Sequence, residues 1–510
     1  MDEAMGQLIK TPREENWQTG NTFAGPLRNL LDRDVENTAQ ERRCYDMCVC
    51  PPCSCSGTLS MINKTVILFN SPPGCGEEGM ISWRTFHMQS WQQMGLKSQP
   101  EWYTTVVVHN NMGQKEIVFG GGDNMHRSVH CAYERYKPKM IVILNTCPPA
   151  IIGDDLEGVG TLLKKEFKDR CHIIPIRSEG ISTPIWSNAW DLSLISLMDN
   201  VMKPPERRVS NKINIFSNFT YFYDDWQELA RMVRAIGLEP SGRFGSLPGY
   251  SEVEDIENMA DAACNAAVCS NYARSAFDRM EKEYGIPFVE FPSQAMGIEM
   301  SEEWLTAVAS VFGLEKKAAS FIGREKDQLR GSIKDFASGL KGKRILVSGG
   351  IARAIPNAFM CHHLGMEIAA INLFHYDHRN DRELEKLADL IGGDVPVLVG
   401  MQLYEDMQLL RELKPDIYLV DPHYAGIGAR MGVPTVSNHF SNRGSYVGFR
   451  GAFNLAKSLA MALARKDFFA KFSGLGECKY RGTEFFPWNE PYYGMLKSGV
   501  YHGGKRRCGC

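Results

Sequence analysis

Two stretches of the sequence share one construction, and that construction decides the fold class. Residues 140–149 read MIVILNTCPP, and residues 65–75 read TVILFNSPPGC. In both, a short run of apolar and β-branched residues leads into a turn that contains asparagine, proline and a cysteine. Such continuous runs are typical of strands buried on both faces of a parallel sheet. We therefore predict two inner strands, each followed by a loop that carries a cysteine.

Similar runs recur along the chain and alternate with amphipathic helical patterns. Strand-like runs include HIIPI at 172–176, RILV at 344–347 and DIYLV at 416–420. Helical periodicity covers residues 224–236, 270–284, 352–364, 381–391 and 405–413. This repeated order predicts an α/β fold with three Rossmann-like domains, in which helices flank parallel β-sheets.

Composition changes near Lys203-Pro204-Pro205 and across residues 332–343 indicate breaks between domains. The predicted units are an N-terminal arm at 1–40, a first α/β domain at 41–205, a middle domain at 206–335 and a C-terminal domain at 336–510. Ligands of open α/β sheets bind where strand ends meet loops. Ser348-Gly-Gly350 lies at such a place, and we interpret it as a tight strand-to-helix turn.

Charge and composition exclude several classes of function. The 510 residues include 57 Lys+Arg and 60 Asp+Glu, with no long basic run interleaved with aromatics, so nucleic acid is an unexpected partner. The apolar runs are too short to cross a membrane, and the N-terminus lacks a signal-peptide core. We predict a cytoplasmic protein. No stretch fits the G-x-x-x-x-G-K-S/T pattern, so energy from ATP would come from a partner.

The fifteen cysteines are unevenly distributed. Without a signal peptide they are expected to be reduced thiols, which can ligate soft metals. Cys75 and Cys147 each stand alone on a strand-end loop. Five more lie within twelve residues, at positions Cys44, Cys48, Cys50, Cys53 and Cys55. Zinc is possible here, but no matching second CxxC pair follows. Three thiolates from three segments favour part of a large iron–sulfur cluster, with zinc and inert thiols as alternatives.

Five segments, two of which overlap the runs quoted above, occur in order along the chain. They are SPPGCG at 71–76, NTCPPAIIGDD at 145–155, RSEG at 177–180, Cys269 followed by YGIP at 284–287, and His439 followed by YVGF at 446–449. Together, from about Cys50 to Leu463, they resemble the catalytic, D-type (alpha) subunit of the nitrogenase component 1 superfamily.

The resemblance implies two metal clusters at the domain junctions. Cys75 and Cys147 would bind an 8Fe-7S P-cluster shared with a homologous K-type (beta) subunit, in a heterotetramer of two alpha and two beta subunits. The third ligand would be Cys50, with Cys48 and Cys53 still open. Cys269 and His439 would anchor an 8Fe-9S-C-type catalytic cluster, whose heterometal and homocitrate the sequence does not specify. The electron donor would be an ATP-dependent 4Fe-4S reductase, the iron protein.

The sequence also departs from the nitrogenase pattern near the expected substrate. Trp186 and Trp190 stand where nitrogenases have a glutamine and a histidine, and an indole cannot relay protons as an imidazole can. His423 stands near the position of a lysine beside the organic acid. We predict catalytic roles for these three residues, and cofactor-binding roles for Arg353 and His375.

These departures favour an apolar, sulfur-bearing substrate over dinitrogen. The resemblance is then nearest to the nitrogenase-like methylthio-alkane reductases. Such an enzyme would cleave the C–S bond of small volatile thioethers, such as dimethyl sulfide or methylthioethanol, to give methanethiol and methane or ethylene. The alternatives are an iron-only type nitrogenase that reduces dinitrogen, a cofactor-assembly scaffold and a tetrapyrrole reductase.

Overall fold

The structure is a computed structural model of the chain. It describes residues 23–32, 50–181, 188–218, 220–269, 272–289, 294–374, 376, 380–400, 403–438 and 444–474.

The first sheet has four parallel strands in the order β3-β2-β4-β5. They are β2 (Thr65–Asn70), β3 (Val106–His109), β4 (Met140–Asn145) and β5 (His172–Arg177). The two quoted runs are the inner strands β2 and β4, and every residue of both is buried. Because both faces are covered, each strand can be apolar throughout, which confirms the prediction of inner parallel strands.

The second sheet has the same parallel arrangement in the order β7-β6-β8-β9. Its strands are β6 (Val209–Phe216), β7 (Glu239–Pro240), β8 (Ala262–Ala267) and β9 (Phe288–Val289). The small residues of β8 allow close packing, and the strand ends two residues before Cys269.

The third sheet has the order β1-β12-β11-β10-β13-β14. Its strands are β1 (Phe23–Pro26), β10 (Arg344–Gly349), β11 (Glu367–Leu373), β12 (Pro396–Val399), β13 (Ile417–Val420) and β14 (Thr435–Ser437). Strands β10 to β14 pair in parallel, whereas β1 pairs antiparallel with β12. The segment predicted as an N-terminal arm therefore contributes an edge strand that its sequence did not indicate.

Helices cover the faces of these sheets. In the first third of the chain they are α1 (Leu27–Leu31), α2 (Pro51–Leu59), α3 (Pro73–Gln93), α4 (Gln114–Phe119), α5 (Gly122–Tyr136), α6 (Cys147–Ile152), α7 (Leu156–Glu166) and α8 (Asn188–Asn200). Around the second sheet they are α9 (Tyr223–Ala235), α10 (Val253–Glu257), a 3-10 turn at Met259–Asp261, α11 (Arg274–Tyr284), α12 (Gly297–Val311) and α13 (Glu315–Leu340). Around the third they are α14 (Ile351–His363), α15 (Asp381–Ile391), α16 (Leu403–Leu413), α17 (Pro422–Arg430), α18 (Gly448–Ala464) and α19 (Lys466–Gly474).

One predicted helix limit needs correction, and one predicted domain break falls partly within a helix. The helix predicted from residue 270 begins at Arg274, because Ala273 has φ +64°, outside the right-handed helical region. Residues 332–343, interpreted as a break, are helical as far as Leu340. An apolar stripe explains this, since Ile333 and Leu340 are buried and Phe336 packs edge-on against Phe453.

One cluster of buried apolar side chains extends through all three sheets. The long helix α13 leads from the second sheet to the third and packs against α18 and α12. Each of the three sheets is built within one predicted unit, except that β1 joins the third. The domain limits themselves stay predictions, and the one after residue 335 lies inside α13. The structure contains no described helix that could cross a membrane.

Candidate metal-cluster sites

Three buried asparagines connect the carboxyl ends of strands β2, β3 and β4. Asn110 donates through Nδ2 to Oδ1 of Asn70 at 2.6 Å, and Asn70 donates to Oδ1 of Asn145 at 3.0 Å. The same residues hold the following loops, because Ser71 N donates to Asn110 Oδ1 and Thr146 Oγ1 donates to the Asn70 carbonyl. Buried amides that satisfy one another form a rigid network. This ladder therefore fixes the start of the loops that lead to the cysteines.

Three cysteines lie at the N-termini of three helices near this ladder. Cys50 is the N-cap of α2, Cys75 is the third residue of α3, and Cys147 is the first residue of α6. Each helix has a proline in its first two positions, where proline favours helix initiation and removes no hydrogen bond. The positive end of a helix favours a thiolate. The local sequence thus presents three potential thiolate ligands.

The thiols influence one another's ionisation. Cys50 and Cys53 are joined by an Sγ–Sγ hydrogen bond of 3.2 Å. That bond lowers the pKa of Cys50 to about 7 and raises the pKa of Cys53. Burial raises the pKa of Cys75, and the neighbouring Cys50 and Cys147 thiols raise it further. The Cys50, Cys75 and Cys147 side chains therefore share one electrostatic environment.

The RSEG segment lies against this group at Gly180. A Cβ at Gly180 would lie 3.5 Å from Pro51 Cδ and 3.7 Å from Cys147 Sγ. Glu179 beside it is 1% exposed, and Arg177 donates to its Oε1 at 3.3 Å. The segment between strand β5 and helix α8 therefore lies beside both Cys147 and Pro51, the residue that follows Cys50.

The three thiols come from three separate segments of the chain, which a polynuclear cluster can join. Within the described residues, Cys50, Cys75 and Cys147 do not form a group whose ligand atoms all lie within 4.8 Å of one another. A single tetrahedral zinc would need such convergence, whereas different irons of one large cluster can bind separate thiolates. The donor set is therefore compatible with one half of an iron–sulfur cluster.

The surface around Cys75 is unusually apolar. Cys75 itself is exposed. On the first half of α3, on α4, on α6 and on the segment after β5, the exposed large apolar residues are Met80, Ile81, Val118, Phe119, Ile151, Ile152 and Ile181. Helices α4 and α6 pack against each other, so several of these side chains belong to one surface. We call these seven residues the apolar face. Exposed apolar surface on this scale is typical of a protein–protein interface.

A second site lies where the second and third sheets face each other. Cys269 follows β8 and is 3% exposed. Tyr221 donates from its hydroxyl to the Val268 carbonyl at 2.8 Å, and Tyr272 N donates to the Cys269 carbonyl at 3.2 Å. Burial raises the pKa of both tyrosines, and the proximity of Cys269 contributes to both shifts. Both phenols are therefore neutral at physiological pH, and they flank the thiol.

Arg353 connects this site to the end of strand β14. It is 4% exposed, and its Nη2 donates to the carbonyl and the Oγ1 of Thr220 at 2.6 and 3.1 Å. Its Nη1 donates to the Asn438 carbonyl at 3.0 Å, and its Cζ lies 5.1 Å from the centre of the Tyr221 ring. The guanidinium thus joins the residue before position 439 to the tyrosine beside Cys269.

The remaining wall of this site comes from helix α8. Trp190 is 5% exposed, and its ring lies edge-on to Tyr272 with 6.1 Å between centroids. The adjacent Asp191 is buried and raises the pKa of Tyr272. Cys269 therefore lies beside two tyrosines, and Trp190 of helix α8 packs against one of them.

The family is shown by comparison with known proteins. The family description "Nitrogenase component 1 type Oxidoreductase" matches residues 50–464. The chain belongs to the nitrogenase component 1 family. The solved structure "Nitrogenase Cp1 at pH 6.5" superposes with a TM-score of 0.71 at 20% identity, covering 91% of this chain and 98% of that one. At this identity the likeness shows the fold, and it agrees with the α/β prediction.

The curated relatives carry two different names. The "Nitrogenase iron-molybdenum cofactor biosynthesis protein NifE" of Methanococcus maripaludis is 24% identical over 412 residues, covering 79% of this chain and 81% of the relative. The "Nitrogenase molybdenum-iron protein alpha chain" of Methanothermobacter thermautotrophicus is 24% identical over 403 residues, covering 78% and 83%. Equal identity to an assembly protein and to an enzyme subunit means that neither name decides the role of this family member.

The structure places several predicted site residues of this nitrogenase-family chain together, and others lie outside the described residues. It brings Cys50, Cys75 and Cys147 to one site, and Cys269, Trp190 and Arg353 to another. His423 is the second residue of α17. Trp186, His375 and His439 lie outside the described residues, as does Cys48. All ligand and catalytic roles stay predictions.

Several residues that shape the sites were not predicted from the sequence. The asparagine ladder has a sequence signal, since Asn70 and Asn145 both occupy the last position of an apolar strand. Tyr221 and Asp191 have no such signal, because each is an ordinary residue near the start of a helix or the end of a strand. Only their contacts with Cys269 and Tyr272 single them out in this family member.

Proposed function

We propose that this chain is the cluster-bearing subunit of a nitrogenase-like reductase that cleaves the C–S bond of small thioethers. The observation that carries the proposal is the aromatic surrounding of Cys269. Trp190 is buried against Tyr272 on one side, and Tyr221 lies on the other. Such walls favour a small apolar molecule with a polarizable sulfur, since sulfur–aromatic contacts are favourable.

The donor sets assign a place to each cluster. Cys50, Cys75 and Cys147 would hold this chain's share of a P-cluster, and Cys53 would support Cys50 by its hydrogen bond. Cys269, with His439, would hold the catalytic cluster. When bound, such groups supply electrons at low potential. The net reaction adds two electrons and two protons and breaks the bond between R and sulfur in R–S–CH3. Dimethyl sulfide then gives methane and methanethiol, whereas methylthioethanol also loses its hydroxyl group as water and gives ethylene and methanethiol.

The chain's own residues would control the surroundings of the reaction. Tyr221 has committed its proton to the Val268 carbonyl, so it positions the loop instead of supplying protons. Arg353 places a fixed positive charge near Cys269, through its contact with Tyr221. A cation that is already oriented stabilises negative charge without reorganisation. Trp190 would exclude water from the substrate side.

The apolar face supports the proposal of two protein partners. Cys75 is exposed in the single chain, and a large iron–sulfur cluster in that position would need further ligands and a cover. A homologous K-type subunit would supply both, as it would bury the seven apolar residues. An ATP-dependent 4Fe-4S reductase would then deliver electrons, because the sequence offers no nucleotide-binding loop of its own.

The proposal is tested with the anaerobically purified complex and its reductase. Supplied with dimethyl sulfide or methylthioethanol, it should release methanethiol together with methane or ethylene. Dinitrogen and acetylene serve as competing substrates, and ammonia formed without any methanethiol would contradict the proposal. Trp190→Phe should keep thioether turnover, whereas Trp190→His should reduce it, because an imidazole brings water and a second polar nitrogen into the apolar wall.

A second candidate is favoured by the relative that is named a cofactor biosynthesis protein. In that case the chain would hold a cluster only until it is handed to another protein. The loaded complex would then transfer its iron–sulfur cluster to an apo acceptor and show no turnover with thioethers, dinitrogen or acetylene. Turnover with retention of the cluster would exclude this candidate.

A further inference from the structure

Helices α5 and α7 pack side by side against the first sheet and carry a group of potential metal ligands. His126 and His130 lie four residues apart on α5, so both imidazoles project from the same helix face. Glu166 is the last residue of α7. This group lies outside both cysteine sites and takes no part in the proposed function.

The ligand atoms converge closely. His126 Nε2 lies 3.1 and 3.0 Å from the two carboxylate oxygens of Glu166, and His130 Nε2 lies 2.7 Å from Oε2. One ligand atom from each residue lies within 4.8 Å of the others. Among the described residues, no other group of three or more His, Cys, Asp or Glu side chains meets this condition. Tetrahedral coordination by a single ion requires such spacing.

The surroundings hold the group in place and leave it accessible. The three side chains are 31%, 44% and 31% exposed, so an ion can enter from solvent. The ring of Phe167 packs against the His130 imidazole with 4.9 Å between centroids. Arg170 lies over Phe167 and donates to the backbone carbonyl of Glu166, not to its carboxylate. The carboxylate oxygens are therefore shared with the two histidines.

The chemistry of the donors selects the ion. Imidazole nitrogens suit zinc and other late first-row metals, whereas magnesium and calcium prefer all-oxygen sets. Two imidazoles and one carboxylate leave the fourth tetrahedral position to water. We propose that His126, His130 and Glu166 bind a zinc ion that links α5 to α7. The ion would replace the direct histidine–carboxylate hydrogen bonds by three metal–ligand bonds.

Zinc bound to the purified complex can be examined without interference from iron. After equilibration with ZnCl2 and dialysis, elemental analysis should find one more zinc per chain in the wild type than in His130→Ala. Zinc-edge X-ray absorption should show nitrogen and oxygen ligands at about 2.0–2.1 Å. Loss of one ligand should weaken zinc binding by at least about 100-fold, since even the loss of an indirect contact costs 10- to 100-fold.

Three controls separate zinc binding from other effects. His172→Ala removes a histidine that pairs with Glu257 at 3.2 Å, without a second imidazole, and should leave zinc binding unchanged. Glu166→Gln should weaken binding while the helices stay intact, which circular dichroism can verify. Equal zinc in the wild type and in His130→Ala would overturn the proposal. So would zinc held only by sulfur at about 2.3 Å, which would place the ion at the cysteines.

Discussion

Arg353 is expected to be the residue on which the link between the second and third sheets depends most. The substitution Arg353→Met keeps a long apolar side chain but removes the donors to the Thr220 and Asn438 carbonyls and to Thr220 Oγ1. These acceptors are buried, and water cannot easily replace the guanidinium. The stacking of the cation on the Tyr221 ring is lost as well.

The magnitude follows from the contacts. A hydrogen bond that involves a charged group contributes about 1.5–3 kcal/mol to stability. All three bonds come from one guanidinium, so the sum of three such values is an upper bound on the stability lost in the variant. Removal of the guanidinium leaves two buried carbonyls and one hydroxyl without this donor, at about 1–3 kcal/mol for each unsatisfied group, and we take about 3–5 kcal/mol for the junction as a whole. At 1.36 kcal/mol for each factor of ten, local opening at this junction should become about 100-fold to several thousand-fold more frequent.

Hydrogen exchange followed by mass spectrometry measures this local opening directly. We expect faster exchange in peptides that cover Thr220–Trp226 and Thr435–Asn438. Arg330→Met is a control on helix α13, because Arg330 is 75% exposed and pairs with Asp327, which is 76% exposed. Exposed ion pairs contribute about 0–1 kcal/mol, so exchange should change by less than about fivefold there. A change of less than about tenfold in Arg353→Met would refute the assigned role.

Three other predictions concern separate parts of the chain. Cys147→Ala should lower the iron content of the complex, whereas Cys171→Ala should not, because burial raises the pKa of Cys171 to about 12 and no other cysteine contributes to that shift. Equal iron in both variants would argue against a ligand role for Cys147. Phe119→Glu should weaken subunit association at least about tenfold, because Phe119 is 82% exposed on the apolar face. Analytical ultracentrifugation measures this association, and undiminished association would show that this face is not the interface. Burial raises the pKa of Glu383 to about 7 from 4.5, so the stability it contributes is complete below pH 4.5 and lost as the pH rises through 7. Glu383→Gln should therefore raise the melting temperature, and the rise should grow between about pH 5 and about pH 8. The corresponding gain in unfolding free energy should reach about 3 kcal/mol at the upper end. A difference that does not change with pH would contradict this.

The sheets and the cysteine-bearing turns could be predicted because their signals are local. Strands β2 and β4 are apolar at nearly every position, and the prolines after them mark the helix starts. The cysteines at 75 and 147 could therefore be assigned to strand-end loops from the amino-acid pattern. The helix limit at Ala273 could not, since a positive φ at an alanine has no sequence pattern.

Pairs of residues far apart in sequence were beyond prediction. Phe23 pairs with Val399 in the third sheet, although nothing in the polar N-terminal sequence indicates a strand. His126 and Glu166 are each ordinary surface residues until α5 and α7 pack together. The same holds for Arg353 and Thr220, whose hydrogen bonds join two sheets.

The sequence by itself determined the α/β class and the order of the strands along the chain. It also determined that Cys75 and Cys147 directly follow two inner strands. All of these depend on neighbouring residues, where apolar periodicity and proline act over a few positions. Only the tertiary structure decided which loops meet, that Cys269 lies among Tyr221, Tyr272 and Trp190, and that two histidines share one carboxylate. The physical reason is that such contacts join segments that come together only when the chain packs, and no local pattern records which partner each segment will have.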